Sequence, residues 1–477
     1  MDYPFTIAEA AAALRSGQVT STELTRGALA RIRRLNDSVG AFITVTDDVA
    51  MAMAQRADVD FAAGIDRGPL QGIPFAIKDL LATKDAPTTA NSLVLDRKWG
   101  DGYDAIASAR IRSVGAVLLG KLVLSEFALG PPDPEKGFPI PRNPWDLDRT
   151  AGGSSSGTGI AVATGMILGG LGTDTGGSVR IPAANNSHTG LKVTYGRVPK
   201  WGCAPLGYSL DSIGPMARTA LDCALILNVI AGHDASDPTA ATAPVDDYTA
   251  GIDSGVRGLR VGVPVEYFYD HPMLDPEAKA AALAAVEVLR DLGADVREVN
   301  LPHAALAKEA NTMIMITEAF AYHRLDMASS KWRHYGAQTR MMIGRGAFYT
   351  AADYVQAQRF RSWFCRKSAE VMADVDVLVT PTMAEPPGPL FGVDPAKRLL
   401  QPSFTGVFNL TGYPALALPA GFSSGGLPLS VQFVGAPFAE ATILRAGHAF
   451  QQETPWHLRV PAMAESSARE AQKAGVA

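Results

Sequence analysis

The stretch Ala151-Gly-Gly-Ser-Ser-Ser-Gly-Thr-Gly159, the apolar run after it, and Gly170-Leu-Gly-Thr-Asp-Thr-Gly-Gly-Ser-Val-Arg180 decide how this chain is read. Two glycine-flanked serine clusters stand either side of a segment long enough for one helix and a turn. Glycine lets the backbone approach a ligand closely and turn its amides inward. A serine at the end of such a turn is placed like an acyl-transfer nucleophile. The remaining question is which base activates it.

Three local readings compete. Gly153-Ser-Ser-Ser-Gly157 matches Gly-x-Ser-x-Gly, but that elbow needs a strand running straight into it. The preceding Arg142-Asn-Pro-Trp-Asp146 reads as loop, and no histidine is distinguished by its neighbours. A phosphate-binding loop would need a Gly-Lys-Ser/Thr or a Gly-x-Gly-x-x-Gly opening a helix, and neither is present. The third reading makes Ser178 the nucleophile, with its proton leaving through a second serine to a lysine.

In that reading Thr175-Gly-Gly-Ser178 offers consecutive amides as an oxyanion hole, one donor being worth about 3–4 kcal/mol of barrier. Lysine is a base only when neutral, and a fall of about three pH units from its usual pKa costs roughly 4 kcal/mol of desolvation. Lys78 ends the apolar run Gly72-Ile-Pro-Phe-Ala-Ile-Lys78, best read as a buried strand, and is the lysine best placed for this. Its neighbour Asp79 would hold the charge on in direct contact, but adjacent strand residues point to opposite faces.

Composition agrees with an enzyme and bounds its surroundings. The 477 residues are 47 % apolar and 19 % charged, with net charge −5 and no Lys/Arg block, which argues against a nucleic-acid partner. Cys203, Cys223 and Cys365 show no metal or disulfide spacing, and the eight histidines form no ligand motif, so no metal or other cofactor is called for. Met1-Asp-Tyr-Pro4 carries no leader pattern, and the longest apolar stretch, Ile160 to Leu171, is broken by glycines and too short to cross a bilayer. A cytoplasmic protein is expected, without a membrane partner.

Helical patterns run over Thr6 to Leu35, capped at Thr6 and at Ser21 or Thr22, and over Val45–Ala57, Ala105–Val114, Leu221–Ala231, Pro276–Leu292, Asn311–Met342 and Ala439–Gln452. Short apolar strands lie at Ala116–Leu119, Leu259–Val263, Val296–Val299, Val375–Val379, Ala415–Leu418 and Ser430–Val434. This alternation predicts an α/β sheet covered on both faces. A single domain over 1–477 is expected: a core at about 70–231, a helical elaboration at about 233–370, a return to the sheet at 371–460 and a polar tail at 461–477.

The serine clusters, with Gly72-Ile-Pro-Phe-Ala-Ile-Lys-Asp79, Arg142-Asn-Pro-Trp-Asp146, Tyr195-Gly-Arg-Val198, Asp211-Ser-Ile-Gly-Pro215, Thr380-Pro-Thr382 and Gly412-Tyr-Pro-Ala415, resemble the amidase signature family in content and order. The resemblance implies one large α/β/α domain around a mixed central sheet, and a Ser–Ser–Lys triad: Ser178 as acyl-enzyme nucleophile, Ser154 as bridging relay on a cis peptide bond, Lys78 as base. It implies oxyanion amides from Thr175, Gly176, Gly177 and Ser178, and supporting roles for Ser155, Asp174 and Arg180. Departures from the family pattern are Ser156 in place of glycine, Asn185-Asn-Ser-His-Thr189 in place of a smaller apolar stretch, and Val193 in place of proline.

By the same resemblance Phe127, Ala128 and Leu129 border the acyl pocket, under a helical cover carrying Met313, Met315, Phe320 and Tyr322. The cover residues are equally well read as ordinary core. As a pocket they suit a small aryl or alkyl amide or carbamate, releasing ammonia or an amine. The alternatives are the glutamine-hydrolysing subunit of a tRNA-dependent amidotransferase and a non-catalytic binding protein on the same fold. Against the first, no acidic residue stands just before Phe404-Thr405; against the second, all three triad residues are present. A homodimer is the family-level expectation.

Overall fold

Residues 6–394, 397 and 400–465 are described in the computed structural model. Met1–Pro4 and the tail from 466 lie outside them. Within them, β1 (Phe42–Val45), β2 (Pro74–Lys78), β3 (Val117–Leu122), β4 (Gly169–Asp174), β5 (Thr189–Lys192), β6 (Ser212–Ala217), β7 (Arg260–Pro264), β8 (Asp295–Val299), β9 (Val377–Pro381), β10 (Ala415–Phe422) and β11 (Pro428–Gly435) form one sheet. The order is β1-β3-β2-β4-β6-β5-β10-β11-β9-β7-β8. It is mixed: β2 runs parallel to both neighbours, whereas β4, β6, β5, β10, β11 and β9 pair antiparallel in succession.

Side-chain alternation shows why helices cover both faces. Phe75, Ile77 and Leu118 enter one apolar core, and Ala76, Val117 and Leu119 enter a second on the opposite side. The second core is closed by the helices Ser21–Val39, Asp47–Ala62 and Ser156–Ala163. The larger one takes in Ala220–Ile230, Pro276–Asp291, Ala304–Met327 and Glu440–Glu453.

Several elements differ from the sequence reading. The first helical pattern is two helices, Ile7–Arg15 and Ser21–Val39, and Thr20 rather than Ser21 or Thr22 caps the second, accepting from the Glu23 amide. The cover expected over Asn311–Met342 is Ala304–Met327 followed by Ala337–Arg345, with a short 3₁₀ turn between. A 24-residue helix, Ala351–Asp374, lies inside the elaboration and has no counterpart among the sequence patterns. β4 is a strand despite three glycines, because a Cβ on Gly169 would meet Ile7, Phe75 and Ile226 at 2.9 Å. Among the described residues no helix is long and apolar enough to cross a membrane.

Candidate active site

Lys78 ends β2 between two parallel neighbours, and none of it is exposed. Its Nζ lies 2.8 Å from Ser154 Oγ, 3.0 Å from Ser155 Oγ and 2.7 Å from Thr173 Oγ1. Asp79 points away: it pairs with Lys121 Nζ at 3.0 Å and accepts from the Thr89 amide and hydroxyl. Burial, only partly opposed by the more distant charges around it, takes Lys78 down to about 7.

A neutral amine donates two hydrogen bonds and accepts one, so three hydroxyl neighbours match it. Ser155 spends its own proton on the Thr173 carbonyl, so toward Lys78 it acts as an acceptor. That leaves Ser154 or Thr173 to donate to the amine, and Ser154 faces the cavity described below. Thr173 lies within the Gly170–Arg180 motif but is not singled out by the sequence reading; it shares a face of β4 with Leu171, a period of two that becomes visible only once β4 is known to be a strand.

Ser154 follows a cis peptide bond from Gly153 and precedes the Ser156–Ala163 helix. Ser156, the departure from the family pattern, donates its hydroxyl to the Gly152 carbonyl at 2.6 Å and so closes the turn. Asn186, another departure, donates to the Ala151 and Pro182 carbonyls, both at 2.7 Å. Ser178, half-buried, sits between β4 and the Arg180–Asn186 helix. The Ser155 amide donates to its carbonyl at 3.2 Å, tying the two serine loops together. Ser154 and Ser178 line one cavity of about 570 Å³. Their hydroxyls are not hydrogen-bonded to one another, so only the lysine half of the expected relay is closed. Such contacts commonly tighten when substrate binds.

Asp174 is the buried hub of the Ser178 turn. It accepts from the amides of Gly177 at 2.8 Å and Val179 at 3.1 Å, from Nε and Nη2 of the Arg180 guanidinium, and from Asn409 Nδ2 at 2.8 Å. Burial works to raise its pKa, but Arg180, Lys192 and Asn409 outweigh this and hold the carboxyl well below the usual range. Arg180 also donates to Gln432 Oε1 and Asn409 Oδ1. Asn409 and Gln432 lie more than two hundred residues downstream, where no local pattern marks them.

The four amides of the expected oxyanion set differ in their partners. The Gly177 amide donates to Asp174 Oδ1. The amides of Thr175, Gly176 and Ser178 have no acceptor among the described residues, and Gly176 and Ser178 line the cavity. Glycine is required at 177: φ is +131° and a Cβ would collide with Thr405 Oγ1.

The pocket expectation is met only in part. Ala128, Leu129 and Met315 line the cavity. Phe127 does not: with φ +47° its ring turns into the cover, 4.5 Å from His323 and 5.6 Å from Tyr335 between ring centres. Met313, Phe320 and Tyr322 also lie off the cavity, and Tyr322 is 44 % exposed. The wall includes Pro386, Pro387 and a charged rim of Lys308, Glu385 and Lys397 that the sequence reading does not anticipate.

The site thus joins a buried lysine to a serine beside a glycine-rich turn on a mixed sheet. The family model described as Amidase matches residues 23–444, and the chain belongs to the amidase signature family, whose members hydrolyse amides. It is 43 % identical, over 96 % of its length and 98 % of the relative's, to the A subunit of glutamyl-tRNA(Gln) amidotransferase from Roseiflexus sp. (strain RS-1). Other relatives of that name, from Chloroflexus and Geobacter, stand at 40–42 %. Among solved structures it resembles the corresponding amidotransferase subunit of Thermotoga maritima (33 % identity, 95 % of this chain and 96 % of that one, TM-score 0.81). It likewise resembles the peptide amidase of Stenotrophomonas maltophilia (30 % identity, 96 % and 100 %, TM-score 0.84).

Proposed function

We propose that this chain cleaves a carboxamide through an acyl-enzyme on Ser178. The carrying observation is the buried Lys78 amine within 2.8 Å of Ser154, which shares a cavity wall with Ser178. Ser178 Oγ attacks the carbonyl while its proton passes to Ser154 and that of Ser154 to Lys78. The oxyanion is met by the Gly176 and Ser178 amides, with Thr175 behind them. Collapse returns the proton through Ser154 to the leaving nitrogen, and water then releases the acid by the same route. Ser155, Asp174 and Arg180 hold the geometry.

For the substrate, the names of relatives at 40–43 % identity favour glutamine, hydrolysed within an assembly of partner proteins. Glu385, paired with Lys397 at 2.8 Å on the rim, is the carboxylate an α-ammonium would meet. A second reading, a free-standing hydrolase of a small apolar amide or carbamate, is favoured by one observation: Pro402 and Ser403 precede Phe404, so no carboxylate stands there. Ammonia release from glutamine, compared with hydrolysis of simple anilides by the purified chain, separates the two. Anilide turnover without partners, and none of glutamine, selects the second. Loss of all turnover in Ser178→Ala is required by both.

A further inference from the structure

We propose that Asp211 is a positioning residue for this reaction, fixing the peptide unit whose Gly176 N–H faces the cavity; this rests on the acyl-enzyme reading above. Asp211 stands immediately before β6, is 8 % exposed, and takes no part in the proton relay. Its Oδ1 accepts from Thr175 Oγ1 at 2.5 Å and from the Gly207 amide at 3.0 Å, and its Oδ2 accepts from the Leu206 amide at 3.0 Å. Leu206 lines the same cavity as the serines. One carboxylate therefore joins the cavity wall to the turn that carries Ser178.

Three contacts hold the Thr175–Gly176 segment, one of them on the peptide unit between the two residues. Asp211 holds the Thr175 side chain, Asn311 Nδ2 donates to the Thr175 carbonyl at 3.4 Å, and Thr405 Oγ1 donates to the Gly176 carbonyl at 2.7 Å. The Gly176 N–H has no acceptor among the described residues. A peptide plane between two anchored neighbours keeps one main freedom, its rotation about the Cα–Cα line, and that rotation aims the N–H. Glycine at 176 and 177 supplies little resistance of its own, so the aim must come from these external contacts. Asp211 makes the shortest of them. Gly207, held by the same carboxylate, packs closely on Thr175: a Cβ would lie 3.0 Å from Thr175 Cγ2.

The test is the rate of Ser178 phosphonylation by an alkyl fluorophosphonate, whose phosphoryl oxygen occupies the oxyanion position, resolved into a maximal rate and a half-saturating concentration. Asp211→Asn, the near-isosteric Thr175→Val and the double variant are compared with the parent chain. Each single variant should lower the maximal rate about tenfold to a hundredfold, with half-saturation changed less than about twofold. The double variant should be no slower than the slower single one, because both remove the same contact. Rates are expressed per folded molecule, with melting temperature recorded alongside. Unchanged maximal rates in the folded fraction, or losses that multiply in the double variant, would overturn the proposal. Absence of labelling in the parent chain would instead reject Ser178, and with it the reading on which the proposal rests.

Discussion

Lys78 and Asp79 are adjacent in sequence, yet their side chains leave the end of β2 in opposite directions: one into three hydroxyls, the other onto Lys121 at 3.0 Å. Two buried lysines thus share one carboxylate very unequally. Lys121 receives the counter-charge and Lys78 does not, and this division lets burial bring Lys78 to about 7. Under the proposed mechanism, the base for acyl transfer follows from strand geometry.

Thr173→Val tests the hydroxyl environment of that base. The ammonium form of Lys78 donates to Ser154, Ser155 and Thr173, and charge-assisted bonds are roughly twice as strong as neutral ones. Removing one acceptor penalises the charged form more, so the pKa falls. The rise of kcat/KM with pH, centred near 7 in the parent chain, should move to lower pH in the variant. An unmoved midpoint would show that Thr173 does not contact the amine in solution.

Asp174→Ala should be among the most damaging changes for stability. It leaves the fully buried Arg180 guanidinium without its carboxylate and frees the Gly177 and Val179 amides. Breaking such a pair costs about 3–5 kcal/mol. Denaturant unfolding should show this loss, larger than that of Asp174→Asn, which keeps an acceptor. A cost under about 1 kcal/mol would contradict the hub role.

The split between Phe127 and Leu129 makes a separate prediction. Phe127→Ala removes a ring packed on His323 and Tyr335 and should destabilise by about 3–5 kcal/mol, with relative rates on different amides unchanged. Leu129→Ala opens the cavity wall and should change KM and substrate preference. The reverse pattern, read from unfolding curves and a substrate panel, would put Phe127 in the pocket.

How far the site is legible in the sequence depends on where each contact lies along the chain. Lys78, Ser154 and Ser178 stand in short motifs with local meaning, and Asp174 and Arg180 sit within four residues of Ser178. β4 is hidden because its glycines oppose strand propensity. They are there for clearance, since a Cβ on Gly172 would lie 2.7 Å from both Met216 Sδ and Ser155 Oγ. The commitment of the Gly177 amide is equally invisible, because it depends on a carboxylate held by Arg180 and Asn409 together. The cover is misplaced because Ala328 to Gly336 interrupt a pattern that periodicity alone reads as continuous.

The central claim is that an uncharged Lys78 draws the proton that frees Ser178 to attack. Its most direct measurement is the pH dependence of fluorophosphonate labelling in the parent chain and in Lys78→Met. The parent rate should rise through a single ionisation near pH 7, and the variant should lose at least about a hundredfold together with that ionisation. Labelling of Lys78→Met at the parent rate, or with the same pH midpoint, would contradict the account.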